Sequence, residues 1–198
     1  MDPNGEEVEI LLGCGADEFT RQEALEDLQN AAPNLKLELR GDKLCIGEDG
    51  VAKTEYEKHL AEAINSSEFK SEIRLETLNY DQSGSYNGTK FEDNQYISKN
   101  SVDLKNTRQY EKETGSVRGC GLMHEITEGI EMGKIAKREN LPEIEKAWRI
   151  PQQQSIGKGD ILVPDDIKGP HYQFYVEGHS LATPQPGTWN AKPKRFFK

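Results

Sequence analysis

Apolar residues recur at two different spacings along the first 104 residues of the chain, and this alternation favours a fold that combines strands with helices. Spacing by two residues, which is typical of strands, occurs at Val8–Leu12, 35–46 and 73–77. Helical spacing occurs between them, at 17–32 and 53–64. Gly41 and Asp42 predict a hairpin turn within the second strand segment, and Asp17 predicts the start of the first helix. We therefore predict an α+β fold with a small, mostly antiparallel sheet and packed helices.

The second half of the chain contains one long segment with helical spacing. Leu122, Ile126 and Ile130 recur every four residues, which predicts a helix over 117–137. The remaining predicted elements are an exposed loop at 79–94, one or two edge strands at 96–104 and a short helix at 141–148. Frequent prolines and glycines after residue 150 predict a loop-rich C-terminal third.

The length of 198 residues is that of one ordinary domain, so we predict that 1–198 forms a single domain. Residues 8–104 make up its α/β N-terminal half. Residues 115–198 contain the long helix and the C-terminal loops. The three cysteines are too widely spaced for a C-x-x-C metal site, and we interpret them as reduced core residues.

Charge and hydropathy exclude several classes of partner. A formal net charge of −10 disfavours nucleic acid, because that binding depends mainly on Lys and Arg. No apolar run approaches the roughly 20 residues that span a bilayer, so we predict no membrane span. The N-terminus lacks the basic and apolar regions of a signal peptide. We therefore expect a soluble protein.

The helix predicted over 117–137 carries the residues best suited to chemistry. His124 and Glu128 are four residues apart, so their side chains project from one helix face and can bind the same metal ion. The stripe containing Leu122 and Ile126 lies roughly opposite, because two residues along a helix turn by about 200°. The pair is therefore predicted to point away from the main core, toward a cleft or a second lobe.

A catalytic zinc ion has three protein ligands and one open position, so His124 and Glu128 require a third ligand. His179 is the first candidate, because its Gly- and Pro-rich surroundings can fold back over the helix, and His171 is the second. The sequence also leaves several acidic residues open as the third ligand: Glu131, Asp160, Asp165, Asp166 and Glu177.

The sequence Leu122-Met123-His124-Glu125-Ile126-Thr127-Glu128-Gly129 resembles the active-site helix of zincin-type metallopeptidases. The resemblance implies a zinc cofactor, a peptide or protein substrate, and Glu125 as the general base. The chain departs from the family pattern at Glu128, where the second histidine usually stands. A carboxylate oxygen is also a zinc ligand, at about 2.0–2.2 Å.

The sequence Asp2-Pro3-Asn4-Gly5-Glu6-Glu7 resembles the end of the core domain of Rhs-repeat proteins. That junction is followed by a variable effector domain, and such effectors include metallopeptidase-like toxins. The resemblance implies that residues 1–7 are a junction segment. It also implies that the chain is delivered as part of a larger protein and is bound by an immunity protein.

Two other functions are compatible with the same residues. The first is a non-catalytic protein-interaction domain with a degenerate zincin-like site, in which the helix serves only for packing. The second is a metal-free acid–base enzyme that uses Glu125 and Glu128 as paired carboxylates, since residues three apart on a helix approach each other.

Overall fold

The computed structural model describes residues 7–78, 82–144 and 188–190. Within these residues the chain forms a mixed sheet with helices packed against it. The strands are β1 (Val8–Leu12), β2 (Leu37–Arg40), β3 (Lys43–Ile46), β4 (Phe69–Leu75), β5 (Gln82–Glu92), β6 (Gln95–Val102), β7 (Glu143–Ile144) and β8 (Thr188–Asn190). The helices are α1 (Glu18–Ala31), α2 (Glu55–Ile64), α3 (Leu104–Thr114) and α4 (Cys120–Arg138).

The strands lie in the order β2-β3-β1-β4-β6-β5-β7, and β8 also pairs with β5. The β1–β4 and β4–β6 pairs are parallel, and the other pairs are antiparallel. The predicted α+β class is confirmed, but the sheet is mixed rather than mostly antiparallel. The reason is that a long crossover, containing α1, the β2–β3 hairpin and α2, returns the chain beside β1 in the same direction.

Local sequence signals account for the elements between residues 7 and 64. β1 has the predicted bounds, and β2 and β3 form the predicted hairpin, with Arg40 paired to Lys43. Asp17 caps α1, because its carboxylate accepts the backbone N–H of Thr20 at 2.9 Å. Thr54 caps α2 in the same way at 3.1 Å. The predictions for both helices and for the hairpin are therefore confirmed.

The prediction of an exposed loop at 79–94 is wrong, because Gln82–Glu92 forms β5. Glycine, serine and asparagine are weak strand formers, but tertiary pairing overrides this preference. β5 pairs with β6 from Gly84 to Glu92, with a register shift between Tyr86 and Gly88. The segment is therefore stabilised by its neighbour rather than by its own composition.

Three other elements differ from the prediction. One or two edge strands were predicted at 96–104; Gln95–Val102 does form a strand, β6, but it lies inside the sheet between β4 and β5. Leu104 begins helix α3, which the sequence pattern did not predict, and Asp103 caps this helix at Asn106 N–H with a distance of 3.0 Å. Within the helix predicted at 141–148, Glu143–Ile144 forms strand β7, and residues 145–148 lie outside the described residues.

α4 packs closely on the sheet. Its apolar stripe, including Leu122 and Ile126, joins the main core with Ile10 of β1 and Ile73 of β4. Gly129 permits the close approach, because a Cβ atom at this position would lie 2.6 Å from the hydroxyl oxygen of Ser71. The sheet and α4 therefore hold each other in one fixed relative position.

None of the described helices is long and apolar enough to cross a bilayer. Cys45 and Cys120 are buried, as predicted, whereas Cys14 is exposed, so the prediction of a core position was wrong for Cys14. The single domain 1–198 and its division at 1–7, 8–104 and 115–198 stay predictions, because 1–6 and 145–187 lie outside the described residues.

Candidate functional site

The sequence predicted that His124 and Glu128, which lie on α4, point away from the main core toward a cleft or a second lobe. They are nevertheless buried, with exposures of 1% and 2%. His124 Nε2 lies 3.7 Å from Glu128 Oε2. The structure therefore brings the two predicted metal ligands together in the interior of the protein. Removing both groups from water is costly unless charge and hydrogen bonding compensate for it.

The Glu125 carboxylate is hydrogen-bonded to a side chain of the sheet. The Nδ2 group of Asn100, on β6, donates to Oε2 of Glu125 at 2.6 Å and to the backbone oxygen of Glu125 at 3.3 Å. Both residues are buried, with exposures of 0% for Asn100 and 1% for Glu125. This contact fixes the carboxylate and the helix backbone at the same residue.

A chain of hydroxyl groups lies beside Asn100 on the same face of the sheet. The Tyr86 hydroxyl is hydrogen-bonded to Thr89 Oγ1 at 2.7 Å, and Thr89 Oγ1 is hydrogen-bonded to Ser98 Oγ at 2.7 Å. Burial raises the pKa of the Tyr86 phenol, and the negative charge of Glu128 raises it further. The Tyr86 phenol is therefore protonated at neutral pH.

The N-terminus of α4 is held by a buried carboxylate. Glu111 of α3 accepts the backbone N–H of Gly119 at 3.1 Å and that of Gly121 at 2.8 Å. Burial raises the pKa of Glu111 to about 7, although these hydrogen bonds act in the opposite direction. Burial also raises the pKa of the neighbouring Cys120 thiol well above its usual value, so this thiol is protonated at neutral pH.

Glu131 is directed toward a different surface. Its carboxylate accepts a hydrogen bond from the Lys134 ammonium at 2.7 Å. Glu131 also lines a small cleft together with His59 and Glu62 of α2. His59 Nδ1 lies 3.7 Å from Glu62 Oε2 at the rim of this cleft. The ammonium of Lys134 already compensates the charge of Glu131, which makes it the weaker choice for a third metal ligand.

The other candidates for the third ligand lie outside the described residues: His171, His179, Asp160, Asp165, Asp166 and Glu177. Among the residues that the structure describes, no group of three or more metal-ligating side chains is found. The third ligand and the zinc ion therefore stay predictions.

Sequence reasoning did not find Asn100, Tyr86 or Glu111. Asn100 and Tyr86 reach the site only because β6 pairs with both β4 and β5. The sequence did contain a local signal for Asn100. It precedes the buried Val102 by two residues, so the two side chains lie on the same face of the strand. A polar residue at such a position indicates a buried polar contact.

Comparison with known proteins gave no relative for this chain: no family model matches it, and no match was found among curated proteins or solved structures.

Proposed function

We propose that this chain is a metal-dependent hydrolase, specifically a zincin-like peptidase with its metal site on α4. The observation that best supports this proposal is the 3.7 Å distance between His124 Nε2 and Glu128 Oε2. Two ligands at about 2.1 Å from one zinc ion, at the tetrahedral angle, lie about 3.4 Å apart. A small adjustment of either side chain is therefore enough for both to bind one ion.

His124 would supply a nitrogen ligand and Glu128 an oxygen ligand. His179 is the proposed third ligand, and His171 or a downstream carboxylate is the alternative. When bound, zinc polarises the scissile carbonyl and makes water acidic enough to attack near neutral pH. Burial of Glu128 at 2% exposure is consistent with such a site, because a cation offsets the cost of burying a carboxylate.

Glu125 is the proposed general base. Its carboxylate would take a proton from the attacking water and pass it to the leaving amine. The Asn100 amide, which donates to Oε2 at 2.6 Å, limits the rotamers that the carboxylate can adopt. A base held in one orientation accepts the proton without a further entropic cost.

The biological role that we propose is that of a delivered effector domain acting on a peptide or protein substrate, with an immunity protein as its natural partner. The support is the likeness of residues 2–7 to the Rhs junction, together with the metallopeptidase-like helix. Expression of the chain inside bacteria tests this role. We expect growth arrest with the wild type and normal growth with Glu125→Gln. Equal toxicity of the two proteins would contradict an enzymatic effector.

Metal analysis of the purified full chain tests the proposed site. After loading with zinc and removal of excess metal, we expect one zinc ion per chain for the wild type. His124→Ala and Glu128→Ala should each reduce the zinc content strongly. His59→Ala is the matched control, because His59 belongs to a different surface and its loss should leave the zinc content unchanged. Sub-stoichiometric zinc in the wild type, or an unaffected His124→Ala protein, would contradict the proposal.

A non-catalytic interaction domain remains the second candidate. Its support is the dense packing around α4, where Gly129 contacts Ser71 and the polar residues are buried rather than exposed. In that case the His124–Glu128 pair is an internal ion pair. Glu125→Gln would then leave the effect of the protein on cells and the binding of its partner intact.

A further inference from the structure

Four polar side chains beneath α4 share one face of the sheet: Tyr86, Thr89, Ser98 and Asn100. We call this set the polar layer. The register of the strands creates it, because Asn100 is paired with Tyr86 and Ser98 is paired with Thr89. All four side chains are buried, with exposures of 0% or 1%.

The polar layer lies next to apolar core residues on the same face of the sheet. Asn100 is paired on its other side with Ile73 of β4, and the next residue of β6 on this face is Val102. Both neighbours are fully buried members of the main core. Burying polar groups is unfavourable unless they form hydrogen bonds, so a layer of this kind requires a specific set of partners.

Asn100 holds the turn of α4 that lies between the two proposed metal ligands. Its amide donates to both the carboxylate and the backbone oxygen of Glu125, at 2.6 Å and 3.3 Å. Glu125 follows His124 directly and precedes Glu128 by three residues. Two contacts from one amide to one residue fix the height and the rotation of this helical turn relative to the sheet.

Tyr86 lies against the following turn of the same helix. It belongs to one buried cluster with Met132 and Ala136 of α4. Met132 is one helical turn beyond Glu128. The hydroxyl of Tyr86 is fixed by Thr89, which is fixed in turn by Ser98, both at 2.7 Å.

We infer that the polar layer positions the metal site: Asn100 fixes the turn that carries His124 and Glu128, and Tyr86, held by Thr89 and Ser98, supports the next turn of the helix. This inference rests on the proposed function, because it assigns these residues a role in metal affinity rather than only in folding. Residues that orient the ligands of a metal site from outside it typically contribute a factor of about 10–100 to metal affinity.

The affinity of the full chain for zinc, measured by competition with a chromophoric chelator, tests the inference. We expect Tyr86→Phe and Asn100→Ala to weaken zinc binding about 10–100-fold. Thr89→Val should weaken it in the same direction, and Thr89→Ser, which retains the hydroxyl group, should restore the wild-type affinity. If the hydroxyl of Thr89 served folding alone, the folded Thr89→Val and Thr89→Ser proteins would bind zinc with the same affinity.

Two matched controls separate the inference from general damage to the core. Tyr56→Phe removes the hydroxyl of a buried tyrosine that belongs to the main core cluster instead. Ser71→Ala removes a buried hydroxyl from the same face of β4, and this hydroxyl has no hydrogen-bond partner among the described residues. Both control proteins should bind zinc with the affinity of the wild type.

The outcomes distinguish this inference from the proposed function. If the wild type does not bind one zinc ion per chain, both the proposed function and this inference are overturned. If the wild type binds zinc and Tyr86→Phe binds it as tightly as Tyr56→Phe does, only the role of the polar layer is overturned. If Tyr86→Phe fails to fold, equal zinc affinities of Thr89→Val and Thr89→Ser overturn it.

Discussion

The Glu111 carboxylate accepts the backbone N–H of Gly121 at 2.8 Å and thereby joins the last turn of α3 to the first turn of α4. The contact is buried, since Glu111 is only 2% exposed. The same carboxylate accepts the N–H of Gly119, which precedes the helix. α4 therefore begins at a position that a single titratable group determines.

We predict that Glu111 makes the stability of the protein depend on pH. Burial raises the pKa of Glu111 from 4.5 to about 7. Between these values the unfolded chain has lost the proton while the folded chain keeps it, so the free energy of unfolding falls as the pH rises from about 4.5 to about 7. Above pH 7 this contribution is constant. The full difference corresponds to about 3 kcal/mol.

Urea denaturation at several values between pH 5 and pH 8 measures this effect, and Glu111→Gln is its control. The glutamine keeps an oxygen that accepts the N–H of Gly121 but does not titrate in this range. The slope of the unfolding free energy against pH should therefore be shallower in Glu111→Gln than in the wild type. Identical slopes would show that the carboxylate does not titrate in this interval.

The elements that the sequence predicted correctly have strong local signals. β1, the β2–β3 hairpin, α1 and α2 each combine regular apolar spacing with a turn or capping residue, such as Asp17 or Thr54. β5 lacks such signals, and α3 has a capping residue, Asp103, but no regular apolar spacing. β5 is polar because its inner face carries Tyr86 and Thr89, which are hydrogen-bonded to each other. α3 is joined to α1 by ion pairs from Arg108 to Glu23 and Asp27.

We predict that Gly129→Ala destabilises the protein by about 1–3 kcal/mol. The added methyl group would lie 2.6 Å from Ser71 Oγ and 3.4 Å from Ser98 Cβ, so the Ser71 side chain has to rotate or α4 has to move away from the sheet. Ser71→Ala in the same chain removes the closest contact. Chemical denaturation should therefore find the double variant more stable than Gly129→Ala alone, and a double variant that is no more stable would contradict the packing argument.

Glu57 should contribute strongly to stability through the N-terminus of α2. Its carboxylate accepts the backbone N–H groups of Asn34, Lys53 and Thr54 at 2.9–3.1 Å, and it is 1% exposed. Glu57→Ala leaves these groups without their acceptor, and we expect a loss of about 3 kcal/mol in the free energy of unfolding. Glu62→Ala on the same helix, at an exposed site, should change it by less than about 0.5 kcal/mol.

The same carboxylate gives a second, opposite dependence on pH. Burial alone would raise the pKa of Glu57, but hydrogen bonds from Lys53, Asn34 and Thr54 outweigh burial and lower it. The stabilisation is therefore fully present above the ordinary glutamate value of 4.5 and is lost as the pH falls below it. Thermal unfolding between pH 3 and pH 5 should show a steeper loss of stability in the wild type than in Glu57→Gln.

The candidate site was predictable only in its helical part. The four-residue spacing of His124 and Glu128 places them on one face whatever the tertiary fold, and the structure finds them 3.7 Å apart. Their burial was not predictable, since it depends on how α4 packs. Asn100 and Tyr86 were not predictable as part of the site, because they meet α4 only through strand pairings that span long stretches of chain.

X-ray absorption spectroscopy of the zinc-loaded chain tests directly whether zinc binds to α4 through His124, as we propose. We predict a shell of nitrogen and oxygen ligands only, at about 2.0–2.2 Å, with an imidazole contribution that decreases in His124→Ala. Cys120 should not contribute, because its thiol is hydrogen-bonded to the Glu111 carboxylate. A sulfur ligand at about 2.3 Å, or an imidazole contribution that is the same in His124→Ala and in the wild type, would contradict the claim.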